Sequence, residues 1–179
     1  MTNRKLSLKE LDRIGLEGYK NLKKSNFSVF LENVRSLHNV GSAFRTCDAF
    51  RAETLYLAGF TGSPPHREIQ KTALGATESV SWLHHPTPLV LLKSLKAEGK
   101  ILIAIEQTRE SLPLEKFIPS PKGSYVLLFG NEIDGVSQEA IDLCENCLEI
   151  PQSGTKHSLN LSVCLGISLY TLIRASALL

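Results

Sequence analysis

Tyr125-Val-Leu-Leu-Phe-Gly-Asn-Glu-Ile-Asp-Gly135 reads as five apolar residues running into a loop bracketed by two glycines. Short apolar runs rich in β-branched and aromatic residues suit strands buried on both faces, as in parallel sheets. The same style recurs at Phe27 to Leu31, Leu55 to Phe60 and Ile101 to Ile105, with shorter candidates at Val80 to Leu83 and Cys147 to Ile150. Between them lie segments with helical periodicity: Val40–Arg51, Arg67–Leu74, Leu89–Ala97, Ser137–Cys144 and Leu161–Leu178. This alternation predicts an α/β domain, a mostly parallel sheet of five or six strands flanked by helices. Leu6 to Leu22 reads as one more amphipathic helix ahead of that core.

The 179 residues suit one domain with a sizeable core and no need of disulfide or metal staples. Hydrophobic residues at 42% and charged residues at 21% are ordinary for a soluble globular protein. Residues 1–26 read as a basic extension and residues 27–179 as the folded domain proper. Pro64-Pro65, Pro86, Pro88, Pro119 and Pro121 punctuate loops within the latter. The extension carries Arg4, Lys5, Lys9, Arg13, Lys20, Lys23 and Lys24 against Glu10, Asp12 and Glu17, a balance of +4. The rest holds 13 cations against 15 carboxylates, so the overall +2 resides in the arm. A basic arm suits a phosphate backbone; a solvated helix face is the other reading.

Met1 to Asn26 lacks the apolar stretch of a secretory signal. The four cysteines (47, 144, 147, 164) fall in apolar-periodic segments, which predicts reduced thiols and a cytoplasmic location. Leu159 to Leu179 is long enough to span a membrane, but Asn160, Ser162, Ser168, Thr171 and Arg174 interrupt it. A helix of that kind belongs in a core or a subunit interface, so no membrane is expected.

Three blocks carry candidate chemistry. In Asn39-Val-Gly-Ser-Ala-Phe-Arg45, Asn39 is expected to cap a helix through its side-chain oxygen. At 100° per residue, Val40, Ala43, Phe44, Cys47 and Phe50 then share one stripe, with Arg45 opposite and bordered by Gly41, Asp48 and Ala49. Small neighbours leave room for a second backbone, a phosphate or a partner subunit near the guanidinium; an ion pair with Asp48 is the plainer alternative. Gly130-Asn-Glu-Ile-Asp-Gly135 follows a strand, where open α/β sheets place ligands, although any tight turn could read this way. Ile150-Pro-Gln-Ser-Gly-Thr-Lys-His-Ser-Leu-Asn-Leu-Ser162 ends a strand and leads into the last helix. There Ser158 and Asn160 either serve a ligand or merely cap and fill. Glu106-Gln-Thr108 closes another strand.

Cys144-x-x-Cys147 lacks a second ligand pair, and His66, His84 and His85 lack zinc spacing, so no metal is expected. The absence of G-x-G-x-x-G and of a phosphate-binding GK[ST] loop argues against the classical dinucleotide-type and P-loop readings.

In this order and spacing the three blocks resemble the motifs of the SpoU (TrmH-like) branch of the SPOUT methyltransferases, from about Phe27 to the C-terminus. The resemblance implies the alpha/beta knot fold with a C-terminal trefoil knot, an obligate homodimer and S-adenosylmethionine as methyl donor. It implies methylation of a ribose 2′-hydroxyl of tRNA or rRNA. It carries Arg45 over as the catalytic residue, with Asn39, Glu132, Ser158 and Asn160 beside it. Gly130, Ile150, Ser158 and Leu159 would line the donor pocket, with Gln107 and Thr108 as a further wall. Glu132 would either orient the site or oppose the donor's sulfonium charge, and Asn160 would stand near Arg45. A free guanidinium titrates above about 12, which favours phosphate binding and alkoxide stabilisation by Arg45; a neutral Arg45 acting as base is the rival. The alternative to an enzyme is a catalytically silent RNA-binding protein of the same fold.

Overall fold

The computed structural model describes residues 3–7 and 10–176. Seven segments are extended: β1 (Phe27–Glu32), β2 (Leu55–Ala58), β3 (Trp82–His85), β4 (Ile101–Ile105), β5 (Leu112–Pro113), β6 (Tyr125–Phe129) and β7 (Asn146–Glu149). They form one sheet in the order β3-β2-β1-β6-β4-β7-β5, and every pairing is parallel. In the centre, Phe27 to Leu31 runs in register with Tyr125 to Phe129. All carboxyl ends therefore open on one edge.

The helices are α1 (Leu16–Asn21), α2 (Leu37–Ala49), α3 (Arg67–Ala73), α4 (Ala76–Ser79), α5 (Pro88–Ala97), α6 (Gln138–Ile141) and α7 (Leu161–Ala175). The period-2 alternation of β1 sends Phe27, Val29 and Leu31 into a core shared with α2, α3 and α7, and Phe30 into a second core with α5 and α6. Every residue of β1 and β6 is buried, as the continuous apolar runs require. Val40, Ala43, Phe44 and Cys47 of α2 are fully buried, so the anticipated stripe faces the sheet. Leu165, Leu169 and Leu172 do the same for α7. At about 1.5–3 kcal/mol for each large side chain, this burial holds α7 against the sheet.

Three expectations need correction. The sheet has a seventh strand because the two-residue β5 pairs with β7, a run too short to show a period. Helix α2 starts earlier than expected: Ser36 caps it by accepting from Asn39 N (3.2 Å), so Asn39 lies inside the first turn. The span Leu6 to Leu22 is not one helix; its described residues are helical at α1 alone. Leu6, Leu11, Ile14 and Leu16 are all exposed, and a short helix without packing is marginal. Gly41 leaves its space to α3, since a Cβ there would overlap the Thr72 hydroxyl and the Ile69 carbonyl. Leu8, Lys9 and the last two residues of the expected helix 161–178 lie outside the described residues.

Candidate active site

The turn from β1 into α2 delivers Asn39 to a buried position, 7% exposed, where its amide joins all three blocks. Asn39 Nδ2 donates to Glu132 Oε1 (2.9 Å). Its Oδ1 accepts from Asn160 Nδ2 (3.3 Å) and from Ser162 Oγ (3.1 Å). Glu132 also accepts from Ser36 N (3.2 Å) and Arg35 N (3.3 Å), so its carboxylate sits on free N–H groups at the start of α2. Burial pushes that carboxyl up, but its own amide, Asn39, Arg35 and Ser36 together hold it below the usual carboxylate range. Glu132 thus ties the second block to the first turn of α2. Asn160 Oδ1 accepts from Ser162 N (2.9 Å) and caps α7. Asn160, and not Ser158, is the cap, and it is exposed where an interior amide was the plainer expectation.

The second block is a closed hairpin. Asn131 and Gly135 exchange backbone hydrogen bonds (3.2 and 3.1 Å), and Asn131 Oδ1 accepts from Ile133 N and Asp134 N (2.8 and 2.9 Å). Gly135 has φ +70°, and a Cβ on it would run into Glu106. A Cβ on Gly130 would overlap the Gly135–Val136 backbone, so Gly130 permits the hairpin to close on itself. Two carboxylates at strand ends hold the exit: Glu106 accepts from Val136 N (3.2 Å), and Glu32 accepts from Ser137 N and Oγ (2.9 and 2.7 Å).

Between this hairpin and residues 150–160 lies a cavity of about 520 Å³. Gly130, Glu132, Ile150, Ser158, Leu159 and Asn160 all line it, and Gln107 closes one side by donating to the His157 carbonyl (2.8 Å). Ile105, Phe129, Leu148 and Leu161 make an apolar floor. Thr108 does not line it; it faces a neighbouring cleft of about 680 Å³ that includes Cys144 and Cys147. The rim bears Glu106, Glu132, Asp134 and Glu149, and among the described residues no lysine or arginine lines the cavity. Apolar walls and a surplus of carboxylates fit the adenine, sulfonium and ammonium of S-adenosylmethionine.

Arg45 is not part of this cavity. It is exposed on α2, six residues or about 9 Å and a third of a turn from Asn39. Among the described residues it has no hydrogen bond or ion pair, and Asp48 is instead taken by Ser79. Asn160 accordingly stands against Asn39, not against Arg45, within one chain. Sequence reasoning did not assign roles to Glu32, Ser36, Glu106 and Ser162. Glu32, Glu106 and Ser162 each belong to a stretch that had been singled out, yet their partners lie 105, 30 and 123 residues away. Burial pushes the Cys144 thiol up to about 12 and Cys164 up to about 11, which leaves them protonated at neutral pH. Among the described residues no three His, Cys, Asp or Glu side chains are grouped to hold a metal ion.

A parallel α/β sheet with an anionic cleft over its carboxyl edge, and with the last helix sealing the core, is the architecture of the SPOUT methyltransferases. Within that class the chain belongs to the SpoU rRNA Methylase family, whose model matches residues 26–170. It is 32% identical over 154 residues to a tRNA (guanosine(18)-2′-O)-methyltransferase of Aquifex aeolicus, covering 83% of this chain and 69% of the relative. The crystal structure of the A. aeolicus TrmH/SpoU tRNA modifying enzyme superposes with a TM-score of 0.76 at 28% identity, over 89% of this chain and 78% of that one. An AdoMet-bound rRNA methyltransferase from Sinorhizobium meliloti gives 0.77 at 26% identity, over 87% and 59%.

Proposed function

We propose that this chain is an S-adenosylmethionine-dependent RNA methyltransferase acting on a ribose 2′-hydroxyl of tRNA or rRNA. The carrying observation is the Asn39–Glu132–Asn160–Ser162 cluster, which binds the three motifs into one wall of an anionic cleft. Family membership and the 2′-O-methyltransferase relative support the reaction; AdoMet in a similar structure supports the donor. When bound, the donor supplies an electrophilic methyl carbon on a sulfonium. Gly130, Ile150, Ser158 and Leu159 hold it; the carboxylates balance its positive charge. A new C–O bond forms as the S–C bond breaks, and the hydroxyl proton leaves to solvent or a neighbouring group.

The site is completed in a homodimer. Support comes from α7, whose Val163, Ile167 and Tyr170 are 50%, 38% and 56% exposed along one stripe. Tyr170 meets Phe50, at the end of α2, edge to face at 6.1 Å, so that stripe continues onto the helix bearing Arg45. Pairing through this surface sets Arg45 of the partner subunit over the cleft. Guanidinium groups keep their proton at neutral pH, so Arg45 binds the phosphate beside the target and stabilises the developing alkoxide. The link after β4 pairs outside β7 as β5, then returns to β6, and Leu114 packs into the core with α7. That bracketing supports threading of α7 as a trefoil knot. The basic arm 1–26 adds phosphate contacts ahead of the domain 27–179. Free cysteines support a cytoplasmic setting.

The test is incubation with methyl-tritiated S-adenosylmethionine and total RNA from cells lacking the gene, followed by alkaline hydrolysis. Label in alkali-resistant dinucleotides is expected, because a 2′-O-methyl group blocks cleavage. Label on a base would overturn the reading. Donor and RNA binding without transfer would favour the catalytically silent RNA-binding alternative.

A further inference from the structure

We infer that Phe60 and Arg35 form a stacking platform for a nucleobase of the RNA substrate, alongside the methyl-transfer cleft; the inference rests on the RNA-methyltransferase reading. Phe60 is 59% exposed although the chain on both sides of it is tightly held. Before it, Gly59 takes φ +69°, and a Cβ there would strike the Asn33 side chain. Asn33, itself at φ +54°, accepts from Phe60 N through Oδ1 (3.2 Å). After it, Thr61 is 2% exposed, with its hydroxyl accepting from Val34 N (2.9 Å) and donating to Ala58 O (2.8 Å). The backbone is pinned to the ends of β1 and β2 while the ring is left in water. A rigid, exposed aromatic is a poor surface residue and a preorganised contact.

The guanidinium of Arg35 lies 5.8 Å from the centre of that ring, within cation–π range. The backbone N–H of Arg35 is spent on Glu132 Oε2 (3.3 Å), so the platform is anchored to the rim of the cleft. Its place is one strand over, at the carboxyl ends of β1 and β2, next to the loop that follows β6. An RNA strand approaching the cleft meets carboxylates on the rim, which repel phosphate. The platform adds a π face for an unstacked base and, besides Arg45, a second cation for phosphate.

Phe60→Ala, Phe60→Leu, Phe60→Trp and Arg35→Gln are compared with wild type in the same transfer assay on total RNA. Phe60→Ala is expected to raise KM for RNA roughly ten- to a hundredfold, with kcat and donor affinity within about twofold and melting unchanged. Phe60→Trp restores KM, Phe60→Leu does not, and Arg35→Gln gives a smaller rise. Unchanged KM in Phe60→Ala overturns the inference. So does wild-type behaviour of Phe60→Leu, which would mark an apolar docking point for a protein. A second readout needs no turnover: RNA should quench the tryptophan emission of Phe60→Trp after correction for Trp82. Should wild type transfer no methyl to RNA, the functional reading fails by itself, and the quench alone decides the platform, its absence overturning it.

Discussion

Loop 130–136 carries its own backbone hydrogen bonds, a glycine contact at each end and carboxylates bracing its exit, whereas residues 151–159 are all exposed and one of their few ties is Gln107 on the His157 carbonyl. These are the two walls of one cleft. The first is already ordered and pays no further conformational entropy when a ligand arrives; the second must be fixed by the ligand or by a partner subunit. Shape complementarity is thus built into one side, and the free energy of closing the site falls on the other.

Arg45 belongs to neither wall, and its replacement gives the largest expected effect. Arg45→Ala should lower methyl transfer by orders of magnitude while calorimetric donor affinity stays within a few-fold. Arg45→Lys should fail as well, since an ammonium does not reproduce a planar, two-pronged contact to phosphate. Parallel loss of donor binding would place Arg45 in the donor pocket and end the separation of roles.

Gly130→Val strikes the preformed wall. Its Cβ meets the Gly135–Val136 backbone, and overpacking of this kind costs about 1–3 kcal/mol, or roughly 2–12 °C in melting temperature for a chain of this size. Donor affinity should fall with it by at least about tenfold, as the cleft loses its shape. Unperturbed donor binding in a folded Gly130→Val protein would show that this hairpin is not the donor wall.

Glu132→Gln should have a smaller and pH-dependent effect. Removing the charge faced by Asn39, Ser36 and Arg35 costs about 1–2 kcal/mol at neutral pH, allowing for the exposure of the carboxylate. A carboxyl held below its ordinary 4.5 in the folded state stabilises that state above 4.5 and loses the contribution as pH falls through the folded value. Urea titrations should therefore show a gap between wild type and variant that is constant from pH 7 to 5 and closes in more acid solution. A gap independent of pH would mean that packing, and not charge, ties the hairpin to α2.

Gly154→Val is expected to do least. No atom lies within 4 Å of a Cβ there, so stability should move by less than about 0.5 kcal/mol. A Gly154 effect as large as that of Gly130 would erase the contrast between the walls.

The strands of the centre were legible because burial on both faces writes continuous apolar runs, and all six expected strands lie in the sheet. The helical stripe of α2 was legible for the same local reason, whereas the cleft residues were pointed to only by the resemblance of the three blocks to the SpoU motifs. What was hidden rests on long separations. Asn39 looked like a cap because Asn favours that position, but Ser36 does the capping and frees the Asn39 amide for partners 93 to 123 residues away. Glu106 is one polar residue after a strand until the fold sets Val136 against it. Leu6 to Leu22 has helical periodicity, yet a period needs a surface to pack on, and α1 alone remains.

Asn160 and Ser162, which complete the Asn39 cluster, belong to the start of α7, the last helix of the chain. During translation Asn39 and Glu132 leave the ribosome first, and while α7 is still in the exit tunnel Asn39 Oδ1 has neither of these donors. The β1-side core is likewise uncovered, because Leu165, Leu169 and Leu172 have not yet docked. A chain that stops short of α7 therefore has every strand of the sheet and no assembled site. One helix thus has two duties, covering the β1-side core and supplying the donors that complete the Asn39 cluster.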